Sequence, residues 1–354
     1  MRTSGFLRMV ECKPKVLRIG GVQYAHEKWN ELSKVVDVVE CTSTNRQDFI
    51  RDLQTKYKDT TNIARNFQSI SQTGRFDEEL VRYFPATVRS VSHNGAGYDQ
   101  VDVEPLTKRN IQLSNVTSPV EPATADTAIY LILSCLRNFQ EGHDLLVQGK
   151  WPSAKCGGAK LGREPSGKTI GILGMGGVGR AIRDRLVPFR FDRILYHNRS
   201  RLPPELEKDA SYVSMDQLLR ESDVICLSVP LNAKTRHIIN NDTIAKMKTG
   251  SVIVNIARGP VIKEKDLLEN LKAGKISSFG SDVFEDEPHV PSELVQMPNV
   301  VSLPHMGTHS DETMKRMEEF VVENVWSHIT TGMVKTIVPE QKNMNFEHPA
   351  LLKN

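Results

Sequence analysis

The stretch that most constrains this chain is Thr169–Ile–Gly–Ile–Leu–Gly174–Met–Gly176–Gly177–Val178–Gly179–Arg–Ala–Ile–Arg183. Ile170 to Leu173 is an apolar run that reads as a buried strand, and Ala181, Ile182 and Leu186 open a helical spacing. Between them Gly174, Gly176 and Gly179 are spaced G-x-G-x-x-G. In a strand, turn and helix context this is the fingerprint of a dinucleotide-binding unit. The reason is close approach. Gly174 permits the tight turn, Gly176 lets backbone meet a pyrophosphate, and Gly179 lets helix and strand pack. The helix start then offers unpaired N–H groups and partial positive charge to phosphate.

The flanking sequence extends this into a larger α/β pattern. Val16–Gly21, Val35–Val39, Val88–Val91 and Ile111–Leu113 read as short strands separated by helical stretches, so the N-terminal part is itself an α/β lobe. After Val88–Val91 comes the loop His93–Asn94–Gly95–Ala96–Gly97–Tyr98–Asp99. Ligands of open α/β sheets bind beyond the carboxyl ends of strands. The amides of Gly95 and Ala96 therefore suit a carboxylate. The prolines Pro119 and Pro122 mark a crossing segment, and the apolar stretch Thr124–Leu136 reads as a buried helix with Thr124 as its cap. Trp151–Gly167 reads as a loop, Val321–Trp326 as a last helix and Gln341–Asn354 as a polar tail.

At 354 residues the chain has room for two domains. A net charge of +3 gives no footing for nucleic acid or an anionic membrane surface, and no apolar run reaches membrane-spanning length. The five cysteines, Cys12, Cys41, Cys135, Cys156 and Cys226, are scattered without a C-x-x-C pair. They point to a reducing compartment and to no metal site. Arg2, Arg8, Lys13 and Lys15 form a faint mitochondrial-type signal interrupted by Glu11, and a cytoplasmic protein is expected.

Beyond the fingerprint, Arg193–His197 is the second strand of the nucleotide unit. A site for NAD places Asp or Glu at its exit to hold the ribose 2′-hydroxyl. This chain has Asn198–Arg199–Ser200–Arg201 instead. A carboxylate there repels a 2′-phosphate, whereas an Arg–Ser–Arg run pairs with one. NADPH is thus the preferred cofactor, with NAD as the second candidate.

Three later strands end in charged residues. Arg258 follows Gly250–Ala257, Asp282 and Glu287 follow Phe279–Ser281, and His305 follows Val300–Pro304. A doubly wound sheet brings them to one edge near the cofactor. Reduction of a carbonyl by a nicotinamide also needs a proton. His305 is the natural donor, because an imidazole ordinarily titrates near neutral pH. Glu287 orients its ring and balances the imidazolium charge, and Arg258 offers a planar fork to a carboxylate or a polarised carbonyl. This set fits a 2-oxo acid reduced to a 2-hydroxy acid.

In these motifs the chain resembles the D-isomer-specific 2-hydroxyacid dehydrogenases, and within them the fungal glyoxylate and hydroxypyruvate reductase branch. The resemblance runs from about Val16 to about Met333 through Asn94–Asp99, Gly174–Gly179, Val229–Pro230–Leu231, Asn255–Ile256–Ala257–Arg258–Gly259, Asp282–Pro288 and Pro304–His305. It implies that Arg258, with Asn94, Gly95, Ala96 and His305, binds substrate, that Glu287 partners the acid, and that His305 donates the proton. It implies a cofactor site of Thr124, the Gly174–Gly179 turn, Asn198, Arg199, Ser200, Val229, Pro230, Ile256, Ala257, Asp282, His305 and Gly307, with Asp282 toward the carboxamide. It also implies two Rossmann-like doubly wound parallel-sheet domains. Residues 124–307 would form the NADP-binding domain, inserted into a substrate-binding domain of residues 1–123 and 308–354, and the chain would form a homodimer through the nucleotide domain.

The rivals are weaker. A phosphoglycerate dehydrogenase is disfavoured by Asn198–Arg199, and a formate dehydrogenase by Glu287, since its histidine has no acidic partner. A dinucleotide-sensing corepressor on the same fold would carry an acidic readout and partner-binding extensions. The 2-oxo acid itself stays open. Glyoxylate and hydroxypyruvate are the small candidates, and 2-oxoisocaproate is the larger one, with Tyr98 and Met306 as an apolar wall.

Overall fold

The computed structural model describes residues 13–151 and 158–352. Arg2, Arg8, Glu11, Cys12, Cys156 and the stretch 152–157 beyond Trp151 lie outside them. The chain divides into two compact units, Met1–Pro119 with Asp311–Asn354, and Val120–Ser310.

The first unit is built on five parallel strands: β1 (Lys15–Ile19), β2 (Asp37–Glu40), β3 (Thr60–Asn66), β4 (Ser90–Asn94) and β5 (Gln112–Ser114), in the order β2-β1-β3-β4-β5. Leu17 pairs with Ile63 and Ile63 with Val91, and all three are fully buried. The central strand β3 is the one that sequence pattern does not reveal. Of its seven residues only Ile63 and Ala64 are apolar, yet Thr60, Asn62 and Arg65 are buried with them. Burial of such groups is tolerated when they find partners. Asn62 Nδ2 donates to Ser90 Oγ at 2.7 Å and to His328 Nδ1 at 2.8 Å. Arg65 reaches Gln100 Oε1 at 2.7 Å and lies over the Phe76 ring.

The C-terminal helix spans Asp311–Thr331, far longer than Val321–Trp326. Its buried positions Thr313, Met317, Phe320, Val321, Asn324, Val325, His328 and Ile329 recur at helical spacing, so polar members continue the apolar stripe. Glu318 on this helix accepts the N–H groups of Gln23, Tyr24 and Ala25 at 2.8–3.0 Å, ahead of the helix His26–Ser33. The tail is packed as well: Gln341 is fully buried, and Gln112 Nε2 donates to His348 Nδ1 at 3.0 Å.

The second unit holds seven parallel strands: β6 (Thr169–Leu173), β7 (Arg193–His197), β8 (Ser211–Tyr212), β9 (Val224–Leu227), β10 (Ser251–Asn255), β11 (Ile276–Ser281) and β12 (Val300–Ser302). Their order is β12-β11-β10-β9-β6-β7-β8. Ile170 of β6 pairs with Ile194 on one side and Val224 on the other. The chain therefore winds outward twice from β6, and its direction reverses between β6 and β9. The helix Glu121–Arg137 packs on β10, β11 and the helix Gly177–Leu186 through Ala125, Ala128, Leu131 and Ile132. It begins at Glu121 with Pro122 in its first turn and no side-chain cap, so Thr124 lies inside the helix and does not cap it.

Candidate active site

In an open α/β sheet the crevice where strand order reverses is the ligand site. Here that crevice lies beyond Leu173 and Leu227, which pair in register at the carboxyl ends of β6 and β9. The glycine turn occupies its floor. Gly174 has φ +99°, and a Cβ on it would lie 2.6 Å from Ser228 O and 2.9 Å from Val229 Cγ1. A Cβ on Gly179 would lie 2.2 Å from Gly174 O. Gly176 differs: a Cβ there meets nothing within 4 Å. Two glycines thus close the turn onto its neighbours and the third leaves open space at the start of the helix Gly177–Leu186, which has no side-chain cap. That is the fit a pyrophosphate requires.

At the end of β7, Asn198 Oδ1 accepts the Met175 N–H at 2.7 Å. Arg199 and Ser200 are exposed, and among the described residues the Arg199 guanidinium has no partner. The Arg–Ser–Arg run does not act as a unit, however. Arg201 forms a fork on the buried Glu207, with Nε at 3.0 Å and Nη2 at 2.8 Å from Oε2.

At the other half of the sheet, His305 Nδ1 lies 2.7 Å from Glu287 Oε2, and the two side chains keep 35% and 29% of their exposure. Phe284 N–H donates to Glu287 Oε1 at 2.8 Å. Burial is the largest single influence on the Glu287 carboxyl and pushes its pKa up. The His305 hydrogen bond and charge, the Phe284 N–H and the Arg258 charge outweigh it and hold Glu287 below its usual range. Glu287 is therefore an anion facing the imidazole, and it fixes the ring through Nδ1.

Asp282 has a second task that the sequence does not reveal. Its Oδ1 accepts Met306 N–H at 2.7 Å and its Oδ2 accepts Gly307 N–H at 2.8 Å, while its own carbonyl accepts His305 N–H at 2.8 Å. His305 itself has φ +51°, a backbone state that a non-glycine residue rarely holds. Asp282 is what holds it there. Burial raises the Asp282 pKa, opposed by those two amides. A Cβ on Gly307 would lie 2.9 Å from Asp282 Oδ2 and 3.7 Å from Thr124 Oγ1, so Thr124, Asp282 and Gly307 sit together.

Arg258 leaves β10 through a turn built by Asn255, a motif residue whose role the sequence does not assign. Asn255 Oδ1 accepts Ala257 N–H and its Nδ2 donates to Arg258 O, both at 3.0 Å. Arg258 Nη1 donates to Ala257 O at 2.8 Å. Ile256 and Ala257 are buried, and Pro230 O accepts Thr235 Oγ1 at 2.6 Å on the neighbouring strand exit. Asn255 could have been found as the buried amide of Asn–Ile–Ala–Arg–Gly, where a strand end needs a capped turn.

Asn94, Gly95 and Ala96 belong to the first unit, at the carboxyl end of β4. Gly95 N–H turns back onto His93 O at 3.1 Å. Ala96 N–H has no partner among the described residues, and Asn115 Nδ2 holds Ala96 O at 2.7 Å.

Residues 129–307 match the model of the D-isomer specific 2-hydroxyacid dehydrogenase NAD binding domain. The chain is 50% identical to Glyoxylate reductase 1 of Saccharomyces cerevisiae over 337 residues, covering 94% of this chain and 96% of that protein. It is 46% identical to 4-methyl-2-oxopentanoate reductase A of Aspergillus oryzae, covering 94% and 99%. Its fold matches the crystal structure of a glyoxylate reductase from Paecilomyes thermophila with a TM-score of 0.90 at 44% identity, covering 93% of this chain and 99% of that one.

Proposed function

The chain belongs to the D-isomer specific 2-hydroxyacid dehydrogenases, and on that premise we propose that it reduces small 2-oxo acids, glyoxylate and hydroxypyruvate first, with NADPH as preferred cofactor. The observation that carries this reading is the His305–Glu287 couple at 2.7 Å, with the Arg258 charge beside it. When bound, a reduced nicotinamide supplies hydride to a carbonyl carbon. The residues that would hold it are Thr124, Gly174, Gly176, Gly177, Val178, Gly179, Val229, Pro230, Ile256, Ala257, Asp282 and Gly307. Preference for the 2′-phosphate rests on exposed Arg199 and Ser200 and on the lack of a carboxylate at Asn198.

Arg258 binds the substrate carboxylate through its planar fork. His305 holds a proton at Nε2 and delivers it to the carbonyl oxygen as negative charge develops there. Glu287 accepts the Nδ1–H of the doubly protonated ring and fixes its orientation, so that loss of the Nε2 proton leaves a neutral imidazole still held at Nδ1, the role a carboxylate plays toward a catalytic imidazole. The second reading, a reductase of larger branched 2-oxo acids, is supported by the likeness to the Aspergillus protein and by the exposure of Met306.

The experiment that tests the reading is oxidation of NADPH and of NADH against glyoxylate, hydroxypyruvate, pyruvate and 2-oxoisocaproate. Fastest NADPH oxidation with one of the first two supports it. Fastest turnover with 2-oxoisocaproate favours the second reading, and no turnover by protein that binds NADPH turns it toward a sensor.

The same reading includes a homodimer through the nucleotide unit. Its support is the helix Phe139–Val147, none of whose residues is buried although Phe139, Leu146 and Val147 are large and apolar. Mass by light scattering tests it. A cytoplasmic location rests on the free cysteines Cys41, Cys135 and Cys226, and no described helix is long and apolar enough to cross a membrane.

A further inference from the structure

A second histidine–carboxylate couple stands two residues from Glu287. His237 Nε2 lies 2.5 Å from Glu285 Oε1, with Arg236 Nη2 at 4.0 Å from the same oxygen. The other oxygen, Oε2, accepts the backbone N–H of Glu264 at 3.1 Å, and Glu285 N–H donates in return to Glu264 Oε1 at 2.6 Å. His237 holds φ +52°, the same left-handed state as His305. Its N–H donates to Pro260 O at 2.8 Å, and Ile239 bridges to Ile262 beside it. Glu285 thereby ties three stretches: the loop after β9, the segment that follows Arg258, and the loop that carries Glu287.

The tie continues to the reacting groups. A Cβ on Gly259, the residue after Arg258, would lie 1.8 Å from Phe284 C and O. The Arg258 turn and the Phe284–Glu287 loop are therefore in backbone contact. Phe284 N–H then holds Glu287 Oε1, and Glu287 Oε2 holds His305. None of His237, Glu264 or Glu285 needs to touch substrate or cofactor for this to matter. Displacement of a catalytic group by a fraction of an ångström has large effects on rate.

We propose that His237 and Glu285 are positioning residues for the Glu287–His305 couple: Glu285, clamped between His237 and Glu264, sets where Glu287 stands relative to Arg258 and hence the orientation of the His305 ring. This rests on the 2-oxo acid reductase reading for its kinetic consequence, and not for its geometry. The groups facing Glu285 are His237, Arg236 and Glu264. Those facing His305 are Glu287 and Asp282, with Arg258 acting on Glu287.

The test uses the full chain with three variants. His237→Gly removes the imidazole and relieves the left-handed backbone, so the fold is kept. His237→Gln restores a donor near the Nε2 position. Glu285→Ala removes the clamp from the other side. The expected result is a kcat lowered by about tenfold in His237→Gly and Glu285→Ala, NADPH affinity unchanged, and recovery in His237→Gln. In histidine ¹³C NMR without substrate, the His305 ring resonance, identified by its loss in His305→Ala, moves in His237→Gly and returns in His237→Gln. An unchanged kcat and an unmoved His305 resonance in both clamp variants overturn the proposal. So does a kcat loss that tracks thermal destabilisation and is not rescued by glutamine. A wild-type enzyme without 2-oxo acid turnover, in which the resonance still moves, overturns the functional reading and leaves the positioning role supported.

Discussion

Asn198 Oδ1 accepts the backbone N–H of Met175 at 2.7 Å, so one side chain joins the end of β7 to the glycine turn that follows β6. Where an acidic residue would read a ribose hydroxyl, this chain uses a neutral amide as a strut for the pyrophosphate turn. An aspartate in its place keeps the accepting oxygen and adds a negative charge. Asn198→Asp combined with Arg199→Ala should therefore fold normally and lower the NADPH over NADH ratio of kcat/KM by about 10- to 100-fold, as expected for losing a charge-assisted hydrogen bond and gaining repulsion. An unchanged ratio places the 2′-phosphate elsewhere.

The glycines of the fingerprint separate by role. Gly176→Ala adds a methyl group to open space, so thermal stability is unchanged while NADPH binding, followed by fluorescence titration, weakens by about tenfold or more. Gly179→Ala places a methyl group 2.2 Å from Gly174 O and costs about 1–3 kcal/mol of folding free energy in urea denaturation. Equal stability losses in the two variants count against the pyrophosphate fit at Gly176.

His305→Ala should lower kcat by roughly 10²–10⁴ with NADPH binding intact. Glu287→Gln keeps shape and one acceptor but loses the charge facing the imidazole, and should cost about tenfold or more in kcat. Loss of NADPH binding in His305→Ala would show that the residue anchors the cofactor and is not the proton donor. Both constants come from steady-state kinetics beside a direct binding titration.

His328 should contribute to the acid sensitivity of the first unit. Burial, with the charges of His348 and Arg89 adding to it, lowers its pKa from 6.5 to about 3. Its Nδ1 accepts from Asn62, which fits the neutral ring with the proton on Nε2, toward His348. The unfolded chain takes up this proton more readily than the fold does. The stabilisation is thus complete above about pH 6.5 and is lost progressively as pH falls toward 3. Urea unfolding at about pH 7.5 and pH 5 should show a drop in wild type that is smaller in His328→Gln, and equal drops would remove His328 as its source.

Legibility in the sequence followed the type of residue buried. β6, β9 and β10 are near-continuous apolar runs and announce themselves, as strands covered on both faces do. β3 does not, because Asn62 and Arg65 become buried only once Ser90, His328 and Gln100 arrive from 28, 266 and 35 residues away. The C-terminal helix was half legible for the same reason: Asn324 and His328 continue an apolar stripe as hydrogen-bonded members of the core.

The sequence by itself determined the chemistry of the site. Gly174, Gly176, Gly179, Arg258, Glu287 and His305 are read from residue type and from position at the ends of apolar runs, because turn stereochemistry and strand burial are local properties. Tertiary structure alone decided which polar groups are spent on one another. Glu207 takes up Arg201, Gly95 N–H turns onto His93, and Asp282 closes on the amides after His305. A charged or hydrogen-bonding side chain carries no label in the sequence for the partner that satisfies it. That partner is chosen by packing, which brings distant segments within 3 Å and makes an unpaired group costly.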